Sequence, residues 1–411
     1  MKYLVYIFAG LFMTLHVSAR VIQVGSSHTV HTIQEALRVA INGDSIIVYG
    51  GNYREKNISI TKSITLIGKN FPVLDGEHLY EIISIRAPFV TIEGFKIVHS
   101  GVSSIEDFAG IKICNVPHAI IRNNILDDTF FGIYSQYGMQ GLIENNRLRA
   151  YGKQEQQSGN GIHCWKSDRM RIIGNSIIGH RDGIYFEFVT NSVIWKNHSE
   201  KNIRYGLHFM FSNTDAYISN QFINNGAGVA VMFSHHVKMY DNSFNDNTGD
   251  GSYGLLLKEI NDGYLLNNRF NGNTIGIYFE GANRLQVEKN IFKNNGWAIK
   301  MQANCMDISV FSNNFYSNTF DVATNGSLVL NSFNGNYWDK YEGYDLDKDK
   351  KGDVPYHPVS LYAMIVEQNP TAMILFRSFM ATLLDKTEKL VPSVTPDQLK
   401  DNLPLMKPFP L

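Results

Sequence analysis

Cysteine is scarce: Cys114, Cys164 and Cys305 are the only three in 411 residues. An odd number so widely spread defines no disulfide framework, and all three read as buried free thiols. Charge is scarce as well. Asp, Glu, Lys and Arg make up 18% of the chain and nearly cancel, leaving a net charge of −1. A nucleic-acid partner needs a basic face, so that class is excluded. Long hydrophobic runs are also missing. The apolar stretch at residues 4–15 falls short of the roughly 20 residues a membrane-spanning helix requires. Preceded by Lys2 and followed by Val17-Ser18-Ala19, it reads as a signal peptide over residues 1–19, cleaved after about Ala19.

What the chain has in abundance is a repeat. Between residues 120 and 331, asparagines recur at Asn124, Asn146, Asn175, Asn197, Asn220, Asn242, Asn268, Asn290 and Asn314, spaced 22, 29, 22, 23, 22, 26, 22 and 24 residues apart. Out of phase with them run Gly132-Ile133-Tyr134, Gly161-Ile162-His163, Gly183-Ile184-Tyr185, Gly206-Leu207-His208, Gly228-Val229-Ala230, Gly254-Leu255-Leu256 and Gly276-Ile277-Tyr278. A period near 22 with short alternating runs is too short for a pair of helices. It predicts an all-β solenoid, a right-handed parallel β-helix with three short strands per coil. The asparagines are scaffold, since stacked amides bond from coil to coil.

In chain order, residues 20–57 read as an N-terminal cap. Thr32-Ile33-Gln34-Glu35 is a capping box, Ile33, Ala36, Leu37 and Ala40 make an apolar stripe, and Gly43 ends the helix. The β-helix is expected over residues 58–340, with loop insertions at 151–160 and 245–252. Residues 341–358 form an acidic loop. There Asp345, Asp347, Asp349 and Asp353 resemble a calcium loop, but the glycine after the third Asp and the distal Glu are missing and three lysines interleave it. An acidic turn without metal is the alternative. Residues 359–411 change character to a helical tail, with Asn369-Pro370 as a helix start and a second short helix from Thr395-Pro396. Met373, Phe376, Phe379 and Met380 make it apolar around most of its circumference, interrupted by Arg377; these five residues suit docking on a membrane partner, and the segment also suits capping the solenoid.

The chemistry lies on the outside of the Gly-marked strands. If the residue after each glycine points inward, the second and fourth after it point outward. Coil by coil this lines up Tyr134 and Gln136, His163 and Trp165, Tyr185 and Glu187, His208 and Met210, Ala230 and Met232. His208, Met210 and Met232 then fall together. An imidazole and two thioethers are a soft set suited to Cu(I), with Glu187 as a harder accessory group. His163, Tyr185 and His235 are peripheral candidates.

These features resemble the NosD family over nearly the whole mature chain. The resemblance rests on Thr32-Ile33-Gln34-Glu35-Ala36-Leu37 with Gly43-Asp44, the Asn-Asn and Gly-Ile coils, and Asn336-Tyr337-Trp338-Asp339 with Gly343-Tyr344-Asp345. Its most specific part is the tail, from Phe376-Arg377-Ser378 to Leu403-Pro404-Leu405-Met406-Lys407-Pro408. It implies a periplasmic accessory protein, not an enzyme. Such a protein works with the membrane subunit of an ABC transporter and a copper chaperone to deliver transient Cu(I) for nitrous oxide reductase maturation. Two other classes compete. One is a carbohydrate-binding β-helix or a polysaccharide lyase, hydrolase or epimerase, for which Arg181-Asp182, Glu187, Tyr185 and Trp165 would supply the groove. The other is a metal-free structural adaptor.

Overall fold

The computed structural model describes residues 19–102, 107–326, 330–376, 378–380, 383–384 and 399–410. Residues 1–18 of the expected signal peptide and the helix expected at Thr395-Pro396 lie outside them.

Three parallel sheets of 14, 12 and 13 strands run the length of the molecule, and each coil gives one short strand to each sheet. Alternation fills the interior. Ile162, Ile184, Leu207, Val229, Leu255, Ile277, Ile299 and Val322 stand in register on successive coils of the twelve-stranded sheet, all fully buried. On the thirteen-stranded sheet the core is an aromatic stack, Phe244, Phe270, Phe292, Phe315 and Trp338, with successive centroids 4.6, 5.0, 4.7 and 4.0 Å apart. Sheet pairing begins earlier than residue 58, because Val21–Val24 already pairs with Ser45–Tyr49.

The N-terminal end is closed by the helix Ile33–Val39, whose Thr32–Glu35 capping box is formed. Glu55 accepts from the Ile33 and Gln34 amides at 2.7 and 2.8 Å, and Lys62 Nζ donates to the Leu37 and Ala40 carbonyls at the other end. Ile33, Ala36 and Ala40 are buried in the core, so the helix covers apolar interior that an open coil would expose.

The asparagine ladder runs as the repeat predicts from Asn124 to Asn290. Each residue donates its backbone and side-chain N–H to the next Oδ1; Asn197, for example, reaches Asn220 at 2.9 and 3.0 Å. The next rung is Asn313 and not Asn314: Asn290 N donates to Asn313 Oδ1 at 2.8 Å. The reason is local. Each ladder residue follows one in the left-handed region, here Ser312 at φ 56, as Lys196 (φ 55) precedes Asn197 and Asp241 (φ 55) precedes Asn242. The left-handed conformation therefore belongs to the neighbour, and the ladder asparagine turns its amide inward. A second ladder links Asn202, Asn225, Asn247, Asn273, Asn295 and Asn318 at another corner.

At the C-terminal end the tail departs from expectation. The helix is Leu361–Gln368, capped by Ser360, and it lays Tyr362, Ala363 and Val366 against Phe320. Asn369 ends this helix, its N–H closing on Ile365 O, and with Pro370 it also starts the next, which is a short 3-10 helix, Pro370–Leu375. Residues 399–410 then return to the last coil. Asp401 takes the place of a further ladder residue, accepting from Gly335 N, Asn336 N, Asn336 Nδ2 and Trp338 Nε1 at 2.8–3.1 Å.

Candidate metal-binding face

The outer face of the twelve-stranded sheet depends on a bend at each marker glycine, repeated in register from coil to coil. A Cβ on Gly132 would meet Leu148 Cδ2 at 2.5 Å, so the glycine faces the core together with the residue after it. Register steps over the glycine: Asp182 pairs with Tyr205 and Ile184 with Leu207. The residue before the glycine is thus thrown outward, beside the second and fourth after it. Three in-register rows result. Tyr134, His163, Tyr185, His208, Ala230, Leu256 and Tyr278 form the middle row, and Gln136, Trp165, Glu187, Met210, Met232, Lys258 and Glu280 form the distal one. The third row, which includes Asp182, Tyr205 and Ala227, is not visible to simple alternation.

The middle row is an aromatic stack outside the core. Tyr134–His163, His163–Tyr185 and Tyr185–His208 centroids are 4.6, 4.8 and 4.7 Å apart, and Tyr205 leans on His208 at 4.8 Å. Alternation alone predicts exposed side chains here. Stacking across coils spaced like strands in a sheet makes each ring shade the next, leaving His163 only 8% and His208 only 6% exposed. Met210 and Met232 are half-buried for the same reason.

His208 Nδ1 lies 3.6 Å from Asp182 Oδ2 and 3.4 Å from Arg204 Nη2. Asp182 is fully buried and held by Arg204 Nε and Nη2 at 3.1 and 2.8 Å. Burial raises its pKa, but His208 and Arg204 outweigh that and keep it lowered overall. Nδ1 can either accept from Arg204 or carry a proton towards Asp182; in the second tautomer Nε2 is a lone-pair donor, and Nε2 is buried with no hydrogen-bond partner among the described residues. His163 carries two such nitrogens, and burial first, then Arg181, pushes its pKa down to about 3, so the ring is neutral. Its Nε2 is 3.9 Å from Glu187 Oε2. Tyr185 Oη donates to Met210 Sδ at 3.6 Å. His208, Met210, Met232, Glu187, Tyr185 and His163 therefore share one face.

The other sequence candidates lie apart. His235 is exposed in the turn after Met232, its Nδ1 2.8 Å from that of His236. In the acidic loop Asp345, Asp347 and Asp349 are grouped, whereas Asp353 accepts from Leu346 N at 2.6 Å. The grouped carboxylates accept amides of their own loop, from Asp349, Lys350 and Lys351. In the tail, Met373 packs inward on the cluster of Phe320, Tyr362 and Val366. Phe379 at 81% and Ile374 at 89% exposure face solvent, with Met380 and Phe376 less so. Arg377 lies outside the described residues. Arg181 donates to Asn160 Oδ1 at 3.2 Å, and Asp182 is committed to Arg204. Cys164 and Cys305 are buried free thiols and Cys114 is half-buried. No described helix is long and apolar enough to cross a membrane.

Residues 149–343 match the family model described as NosD, periplasmic copper-binding protein. A Pseudomonas aeruginosa protein named probable ABC transporter binding protein NosD is 28% identical over 81% of this chain and 82% of its own length. The protein of that name from Stutzerimonas stutzeri is 26% identical over 79% and 78%. Among solved structures, the A-module of the Azotobacter vinelandii mannuronan C-5 epimerase AlgE6 superposes with a TM-score of 0.53 at 12% identity, covering 74% of this chain and 92% of the module. The Streptococcus pneumoniae surface adhesin PfbA gives 0.58 at 14% identity, covering 71% and 88%. At such identities these two structures share the fold alone.

Proposed function

We propose, from the similarity to NosD proteins, that the chain carries Cu(I) as cargo in the periplasm without catalysing a reaction. In this reading it takes copper from a chaperone and, docked on the membrane subunit of an ABC transporter, passes it on for nitrous oxide reductase maturation. The observation that carries the proposal is the set of orphaned donors on one face. Buried polar atoms are ordinarily paired, yet His208 Nε2 and both His163 nitrogens have no partner among the described residues, and the Met210 and Met232 thioethers, in register with each other, stand on the same face. This donor set fits a soft monovalent cation. His208, Met210 and Met232 would hold it, with His163 and Glu187 at the rim and Asp182 fixing the His208 ring. Without a thiolate the hold stays weak enough for release. Exposed Ile374, Phe379 and Met380 suit an apolar partner surface.

Cu(I) titration against a chromophoric competitor tests this, comparing the native chain with His208→Ala/Met210→Ala. Loss of one bound equivalent in the folded variant supports the assignment. Equal binding sends the ligands elsewhere, with His235 and His236 next to be examined.

One feature favours a carbohydrate reading as the rival. A polar cleft of about 570 Å³ lies on the same sheet, lined by Glu81, Ser84, Arg86, Asp107, Lys112 and Gln136. It has room for an acidic sugar, and cleavage or binding of uronate polymers by the native chain would establish that class instead.

A further inference from the structure

On the coils that precede His163 and the Met residues, three consecutive coils converge at a corner of the thirteen-stranded sheet. Strands Val73–Asp75, Lys96–Val98 and Ile125–Asp127 run in register, placing Asp75 opposite Val98 and Val98 opposite Asp127. The residues that follow turn the corner: His99 at φ 55 and Asp128 at φ 54, both left-handed. The first of the three coils turns differently. Gly76 lies so close to the next coil that a Cβ on it would sit 2.5 Å from His99 O. The chain then spends two more left-handed residues, Glu77 and His78, before His78 N donates to that same carbonyl at 2.9 Å. The result is that His78 stands directly over His99, ring centroids 4.6 Å apart.

The donors converge as well. One ligand atom each from His78, His99 and Asp128 lies within 4.8 Å of those of the other two, with His78 Nε2 3.9 Å from Asp128 Oδ2. All three side chains are partly open to solvent, so small rotations can bring them to the roughly 2.0–2.2 Å bonds of a four-coordinate ion. Asp75 supplies what a ligating histidine needs behind it. Its Oδ1 accepts from His99 Nδ1 at 2.9 Å and is itself fixed by the Glu77 amide at 2.9 Å. That bond sets the His99 proton on Nδ1, turns Nε2 into the free donor and orients the ring.

We propose that His78, His99 and Asp128, with Asp75 positioning His99, form a second metal site that takes a borderline divalent cation, Zn2+ or Cu2+, with water completing its coordination. Two imidazoles and a carboxylate are the donors such ions prefer, and no thioether is present to favour Cu(I). The site is thus chemically distinct from the soft set and independent of it. On one chain, two oxidation states or two metals are sorted by donor type.

The test uses the full chain, freed of metal, titrated with Zn2+ against a chelating chromophore and with Cu2+ followed by electron paramagnetic resonance. Three variants accompany it: His78→Ala/His99→Ala, Asp75→Asn and His208→Ala/Met210→Ala. The alanine and asparagine changes at the corner fall on solvent-facing side chains, so the coils keep their circular dichroism. The expected result is one bound divalent ion with nitrogen hyperfine structure for Cu2+. Its affinity drops at least a hundredfold in the double histidine variant and about tenfold in Asp75→Asn, and does not change in His208→Ala/Met210→Ala. Failure of the native chain to bind either ion overturns the proposal. So does unchanged affinity in His78→Ala/His99→Ala, or loss in the His208 variant, which would move the divalent ion to the other face and leave the Cu(I) reading to its own titration.

Discussion

Asp215 offers a direct measure of what burial costs in this solenoid. It is 1% exposed, and Oδ1 accepts from Ser192 N at 2.7 Å while Oδ2 is buried without a partner among the described residues. Desolvation pushes its pKa up from 3.8 to about 8. The sign follows from proton counting. Between pH 4 and 8 the folded chain holds a proton on Asp215 that the unfolded chain has released, so the stability this group contributes is full below about pH 4 and is lost as pH rises towards 8. At about 1.4 kcal/mol per unit, the loss over the window is on the order of 5 kcal/mol. Asp215→Asn keeps the acceptor for Ser192 N and removes the charge. Its new amide N–H meets no acceptor, which costs about 1–3 kcal/mol. The net expectation is a variant about 2–4 kcal/mol more stable than the native chain at pH 8 and about 1–3 kcal/mol less stable at pH 4. Thermal melts followed by circular dichroism at pH 4, 6 and 8 measure this. Parallel melting profiles for the two chains would refute the reasoning, because they would mean that Asp215 is hydrated or paired in solution.

Acid should act oppositely through His163 and His180, which burial holds neutral with pKa values near 3 and 4; unfolding lets both gain protons below about pH 6.5, so with Asp215 they place maximum stability near pH 6.5, and a maximum at pH 4 or 9 would contradict this. Asn220→Ala removes four ladder hydrogen bonds, two from Asn197 and two to Ile194 O and Asn242 Oδ1, and should destabilise by about 3–5 kcal/mol in urea denaturation. An unchanged midpoint would mean that the stacked amides are only passengers. In the tail, Ile374→Asp/Phe379→Asp should leave the circular dichroism intact yet abolish co-purification with the transporter's membrane subunit, and undiminished co-purification would leave the tail a cap alone. Substitution is preferable to truncation, because residues beyond 399 close the last coil through Asp401.

The coils were legible in the sequence because period and alternation are set by backbone geometry, which tolerates no slippage once one face is buried. The same regularity gave the correct register of His163, Tyr185, His208, Glu187, Met210 and Met232. What alternation could not reveal was the bend at each marker glycine, where two successive residues face inward and Asp182 and Tyr205 are displaced onto the outer face. Nor could it reveal that stacked rings bury one another, turning an expected open row into a shaded one. Asn313 was missed in favour of Asn314 because the ladder position depends on which residue before it is left-handed, and Ser312 carries no strong signal for that. The second asparagine ladder was readable in principle, since Asn224-Asn225 and Asn294-Asn295 repeat the doublet of Asn123-Asn124. Asn369-Pro370 marks a helix start that the structure forms as the 3-10 helix Pro370–Leu375, but the helix before it, Leu361–Gln368, carries no sequence signal as plain and is set by packing of Tyr362 and Val366 on Phe320. His78 and His99 stood apart in sequence without a motif. Only the extra left-handed residues after Gly76 bring them together.

The central claim is that thioether sulfur and imidazole nitrogen on the outer face hold the copper cargo. X-ray absorption at the copper edge of the Cu(I)-loaded chain reads those donors directly. Two sulfur scatterers with one or two nitrogens, the sulfur lost in Met210→Ala/Met232→Ala, is the predicted result. A shell of nitrogen and oxygen alone, or sulfur that survives both substitutions, would contradict it.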